Sequence, residues 1–230
     1  MRRAHALDWD RVNLLLMPDL HRRFAIFTCA LAMSGYAATA GAQSAPIVQP
    51  GAPGKPSRVI TPEEAVRAQP GVSGADVKFM EGMIGHHAQA VEMTDLLKSR
   101  TKSAEMQKLA ERISVSQLDE MKMMCEWLED HGAQVPAEHA HHAPGAPLMP
   151  GMLTSQEMAR LMASAGEHFD RLFLEYMIKH HQGAIEMVKN LFATAGAAQD
   201  ADIYAFAADV NADQRMEIAR MSAMLKELQK

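Results

Sequence analysis

Disulfides cannot hold this chain together. Its 230 residues include two cysteines, and once Cys29 leaves with the leading segment, Cys125 has no intrachain partner even in an oxidising compartment. Aromatic residues are scarce, at 5%, so the core has to be filled by Leu, Ile, Ala and a surplus of 19 methionines, whose flexible thioethers adapt to irregular space. Basic charge is not in excess. The formal net charge is −5, and residues 1–42 hold five basic and three acidic side chains. Losing them leaves a more acidic body, which argues against nucleic acid and mildly favours cations. No apolar run reaches the roughly 20 residues needed to cross a bilayer. Catalytic signatures are missing too: there is no HExxH, Gly-x-Ser-x-Gly, phosphate loop or dinucleotide fingerprint. Glu81 and Glu175 stand five residues before His86 and His180, where a di-iron carboxylate bundle requires three. An enzyme is not expected.

What the sequence does contain begins with an export signal. His21-Arg22-Arg23 precedes the apolar run FAIFTCALAM and the small residues Ala40-Gly41-Ala42, the order of a positive region, an apolar region and a cleavage site. A periplasmic or secreted protein cut after Ala42 is expected, without membrane insertion once the signal is gone. Asp8 and Asp10 are out of place ahead of such a signal, so either Met1 or Met17 serves as the start. Residues 43–60, rich in Pro, Gly and Ala, are expected to form a flexible linker.

From Thr61 onward the pattern is helical. Thr61-Pro62-Glu63-Glu64 is a capping box with proline in the first turn. Long helices are expected over 75–97, 103–130, 168–193 and 200–228, with a second short capped helix opening at Thr154. Each long pair forms a hairpin, and two hairpins with one apolar stripe apiece bury both by packing face to face. The expected fold is therefore an all-α four-helix bundle over 61–230. Its halves, 61–131 and 154–230, are joined by a His-, Pro- and Met-rich loop at 132–153. No stretch has the pattern of a convincing strand.

The halves repeat one another. At an offset of 94, Phe79 falls on Phe173, Met83 on Met177, His86-His87 on His180-His181, Ala90 on Ala184, Glu92 on Glu186 and Met93 on Met187. Phe79, Met83, His86, Ala90 and Met93 share one helical stripe, while His87 lies about 100° to the side. Imidazole suits copper, zinc and nickel, whereas a neutral thioether selects Cu(I). The doubled set Met83, His86, His87, Met93 with Met177, His180, His181, Met187 is thus a candidate copper ligand pool. Sulfur would hold Cu(I) and imidazole Cu(II), and other divalent ions also fit the imidazoles. Met at helical spacing is more commonly core filler, but four buried imidazoles need acceptors or metal. Within each His pair one residue can ligate while the other bonds a neighbour such as Glu120 or Glu217, and spacing does not choose between them. In the loop, His139, His141 and His142 form a flexible tract able to collect divalent ions, and Met149 and Met152, expected to be exposed, are further candidate metal ligands. Cys125, beside Trp127, is expected to pack.

The motif Phe-x-x-x-Met-Ile-x-His-His-x-x-Ala-x-x-Met, present at Phe79–Met93 and Phe173–Met187, resembles that of the domain-of-unknown-function 305 family. The lead-in Gly151-Met152-Leu153-Thr154 and the pairs Gln117/Glu120 and Gln214/Glu217 are similar to that family as well. The resemblance implies a ferritin-like bundle, often exported, some of whose members bind copper and support copper tolerance. The doubled His and Met constellation in an exported chain leads to the expectation of a protein that sequesters copper or hands it to a copper-handling partner. A bundle that grips a protein partner without metal is the alternative. Gly82 and Gly85 stand where the second half has Tyr176 and Lys179, and are expected to loosen the first helix.

Overall fold

A computed structural model describes residues 45–51, 53–67, 71–137, 139–143 and 145–229. The expected export signal lies outside them. Helix α1 spans Pro62–Arg67, and both halves of the Thr61 capping box form, at 2.9 and 3.2 Å. The four long helices are α2 Gly74–Arg100, α3 Ala104–Asp130, α5 Gly166–Ala193 and α6 Ala201–Glu227, with the short α4 at Ser155–Ala163. Ser73, Ser103, Thr154 and Asp200 cap α2, α3, α4 and α6 through their side chains, so polar residues that compete with helix in the interior set its start instead. Gly82 and Gly85 do not interrupt α2, which runs unbroken through both.

Two strands, β1 Ile47–Gln49 and β2 Arg58–Ile60, pair antiparallel, with Val48 opposite Val59. They occupy the stretch read as a linker, where no strand was expected. The β-branched runs flanking the Pro/Gly turn are only three residues long, too short for a period of two to show. Val48 and Val59 are exposed, and of this ladder Ile60 alone is buried.

The bundle core consists of two apolar clusters. One gathers Phe79, Met83 and Ile84 of α2 with Met124 of α3, Met187 and Leu191 of α5, and Phe206 of α6. The other gathers Met93 and Leu97 with Leu109, Ile113, Phe173, Met177 and Met221. The early part of α2 thus meets the late part of α5, and the reverse, so the two helices run antiparallel. Between the clusters lies a layer of buried polar side chains: His86, His87, Gln117, Glu120, His180, His181, Gln214 and Glu217.

The halves are also tied at their ends. Asp76, fully buried, accepts from the Ala198 backbone N–H at 2.7 Å, reaching from α2 to the α5–α6 connection. Its repeat partner Asp170 bonds Thr101 in the α2–α3 connection, while burial, with Glu167 nearby, raises its carboxyl above the usual range.

Candidate metal centre

At the middle of the polar layer His86 of α2 faces His180 of α5, with ring centroids 3.8 Å apart and planes inclined by 39°. Both are buried, at 0% and 1% exposure. His86 Nε2 lies 3.0 Å from the Pro150 carbonyl. A carbonyl only accepts, so Nε2 carries the hydrogen and the neutral ring keeps its lone pair on Nδ1. That Nδ1 has no partner, and neither does His180 Nε2. Burial, reinforced by the neighbouring His87 and His181, pushes His86 down to about 3 against the pull of the Pro150 bond. Burial also holds His180 well below the usual imidazole range, with His86, His181 and His87 acting in the same direction. Two neutral imidazoles with free lone pairs are the form a metal requires.

The second histidine of each pair turns outward from this centre. His87 Nε2 donates to Glu120 and His181 Nε2 to Glu217, both at 2.6 Å. Geometry distinguishes the members of each pair: His86 and His180 meet, and His87 and His181 are held by carboxylates. Ser116 donates to the other oxygen of Glu120 at 3.1 Å, and Arg112 stands 3.9 Å from that of Glu217. Burial pushes the Glu120 carboxyl up, yet the His87 hydrogen bond and charge, with Ser116, bring it below the usual value overall. His87 Nδ1 and His181 Nδ1 have no partner either, so imidazole nitrogen is in surplus throughout the layer.

The thioethers divide between the clusters, Met83 with Met187 on one side of the layer and Met93 with Met177 on the other. Met149 and Met152 are not exposed as expected: Met152 is 3% exposed and Met149 packs against the first cluster. The reason is a close backbone crossing. A Cβ on Gly183 would stand 1.9 Å from the Pro150 carbonyl oxygen, and Gly151 takes φ +76° beneath it. Only glycines let the loop lie this low on α5, and the crossing brings the Pro150 carbonyl to His86. Gly82 is under no such constraint: a Cβ there would stand 3.5 Å from the Met149 and Met187 methyl groups, an ordinary contact.

The His tract is not free either. His141 and His142 lie on a 3-10 turn, Ala140–His142, and their Nε2 atoms reach one oxygen of Glu92, at 3.1 and 2.6 Å. Among the described residues this is the group in which three His, Cys, Asp or Glu ligand atoms lie within 4.8 Å of one another. His139 stands aside, 6.1 Å from His142 between ring centroids. Glu92 was not a candidate from the sequence. Its one signal was a place in the repeat beside Met93. Cys125 packs at the edge of the first cluster, and burial, then Glu129 and Glu126, raises its thiol.

A sequence model of the domain of unknown function DUF305 matches residues 76–225. The chain belongs to this family. Among solved structures, a DUF305 protein from Streptomyces coelicolor is 30% identical, with a TM-score of 0.58 over 67% of this chain and 93% of its own. A DUF305 fragment from Deinococcus radiodurans is 29% identical, with a TM-score of 0.58 over 69% and 99%. CopM in a Cu(II)-bound form is 28% identical, with a TM-score of 0.54 over 66% and 96%, and has also been solved with Cu(I) and with silver. No curated protein matches the chain. The all-α bundle of this DUF305 protein is thus shared with relatives matched over about two thirds of the chain.

Proposed function

We propose that this DUF305 protein binds copper in the exported compartment and sequesters the ion or hands it to a copper-handling partner, with no catalytic role. The observation that carries the reading is the facing pair His86 and His180, whose free nitrogens lie in a buried layer with thioethers on either side. Imidazole with thioether favours Cu(I), and imidazole alone accepts Cu(II). The likeness to CopM, solved with Cu(I), Cu(II) and silver, supports the same ion class. Export is supported by the leading segment and by the secreted description of the Streptomyces relative, and no described helix is long and apolar enough to cross a membrane.

Competition against a chromogenic Cu(I) chelator tests the proposal. His86→Ala with His180→Ala is expected to weaken uptake at least about tenfold while helix content is retained. Unchanged uptake after all four motif histidines become Ala would overturn it. A metal-free scaffold is the second reading, favoured by the close contact of the two rings and the tight clusters around Met83 and Met177. In that case Cu(I) leaves the melting temperature where it was, whereas an ion bound by the native state raises it.

A further inference from the structure

The geometry points to a second metal site at the rim of the bundle, formed by Glu92 of α2 with His141 and His142 of the connecting loop. Its two imidazole nitrogens and one carboxylate oxygen suit a borderline divalent ion of the Cu(II) and Zn(II) class. Three converging ligand atoms within 4.8 Å match the protein share of an open three-ligand site, in which a fourth position is left to water. No sulfur is among them, so the preference for Cu(I) that belongs to the buried thioethers does not extend here. Divalent ions would rank with Cu(II) ahead of Zn(II).

The loop is seated for this role. Without a side chain at Gly85, the His141 Cβ stands 3.4 Å from where a Cβ would be, and the His141 side chain is 5% exposed while that of His142 remains 55% open. One imidazole is fixed on the helix and the other borders solvent. Burial, against the attraction of Glu92, lowers His141 from the ordinary imidazole value, which favours the neutral ligating form. At present both Nε2 atoms converge on a single carboxylate oxygen, which supplies one acceptor for two donors. An ion bound by the three atoms would take the place of those two hydrogens, with each imidazole proton moving to Nδ1.

The repeat shows that the device belongs to one half only. Glu186 is the counterpart of Glu92, but Lys179 stands in place of Gly85 and pairs with Glu157 at 2.6 Å. Among the described residues no second loop of histidines lies over it. The duplicated chain therefore has one rim site beside a shared central layer.

Calorimetric titration of the purified protein with Zn(II) chloride and, separately, Cu(II) chloride at neutral pH tests the assignment. At the rim one tight equivalent of Zn(II) is expected, and in the His86→Ala/His180→Ala background it is weakened at least about tenfold by Glu92→Gln and by His142→Ala. Cu(II) should bind more tightly, with an electron paramagnetic resonance pattern of two nitrogen donors. Zn(II) binding that survives in both rim variants, or that is lost only in the core variant, would overturn the site. Cu(I) uptake measured on the same proteins separates the two readings, because the rim variants leave the central layer intact.

Discussion

At the scale of the residue, the chemistry of the central layer depends on which imidazole nitrogen is left free, and that is fixed by a backbone carbonyl. His86 titrates near 3 in the folded protein, against an ordinary 6.5. Between those values the unfolded chain holds more protons than the native one, so stability rises with pH there. His180 is shifted in the same direction. Below its ordinary carboxylate value Glu120, lowered overall by His87, adds a further loss as it protonates. The urea midpoint is therefore expected to be level above about pH 6.5 and to fall steadily toward pH 4. His86→Gln should flatten the upper part of that slope, and a midpoint that rises on acidification would contradict the assignment. The His and Met positions of the central layer and its flanks were legible in the sequence because they repeat at one offset. The Pro150 carbonyl and Glu92 were not, since their parts depend on the path of an aperiodic loop that no spacing records.

The elements themselves were set by short-range signals. Capping residues and turn glycines placed the four long helices to within a few residues, because each boundary is a local competition for backbone hydrogen bonds. The loop at 132–153 was harder, since its fold is dictated by what it lies on. Gly183→Ala places a methyl group 1.9 Å from the Pro150 oxygen, and the loop has to lift. Urea unfolding is expected to show a loss of about 1–3 kcal/mol, and nitrogen-15 shifts of the His86 ring should report a mixture of tautomers. Gly82→Ala is the contrast: its new Cβ makes ordinary 3.5 Å contacts within a helix, and a gain of about 0.4–1 kcal/mol is expected. The same change of one methyl group thus has opposite signs at two glycines. Comparison of the two halves had suggested only that Gly82 and Gly85 loosen α2 and weaken its site.

For the molecule as a whole, the sequence repeat becomes an approximate two-fold relation in which each half completes the other. The bundle was foreseeable because two hairpins with one apolar stripe each have few ways to bury both. The end ties were not foreseeable, since Asp76 read as part of a helix start and nothing local indicates that it also reaches Ala198. Asp76→Ala removes the capping box at Ser73 and leaves the Ala198 N–H without its acceptor. Together these are expected to cost about 2–4 kcal/mol in urea unfolding, more than a cap alone, and the α5–α6 connection should lose amide protection first.

The burial of His86 and His180 also has a bearing on time. Groups at 0% and 1% exposure between close-packed clusters are reached only when the bundle opens locally, since interiors of this density contain no standing passage. A step that admitted an ion to the central layer would therefore be a motion of the protein, with a rate that levels off once ions are abundant. Release would be governed by the same opening. An ion in that layer would have a residence time set by how often the Pro150–Gly151 crossing lifts from α5, whereas one at the rim, beside the half-open His142, would leave without that opening.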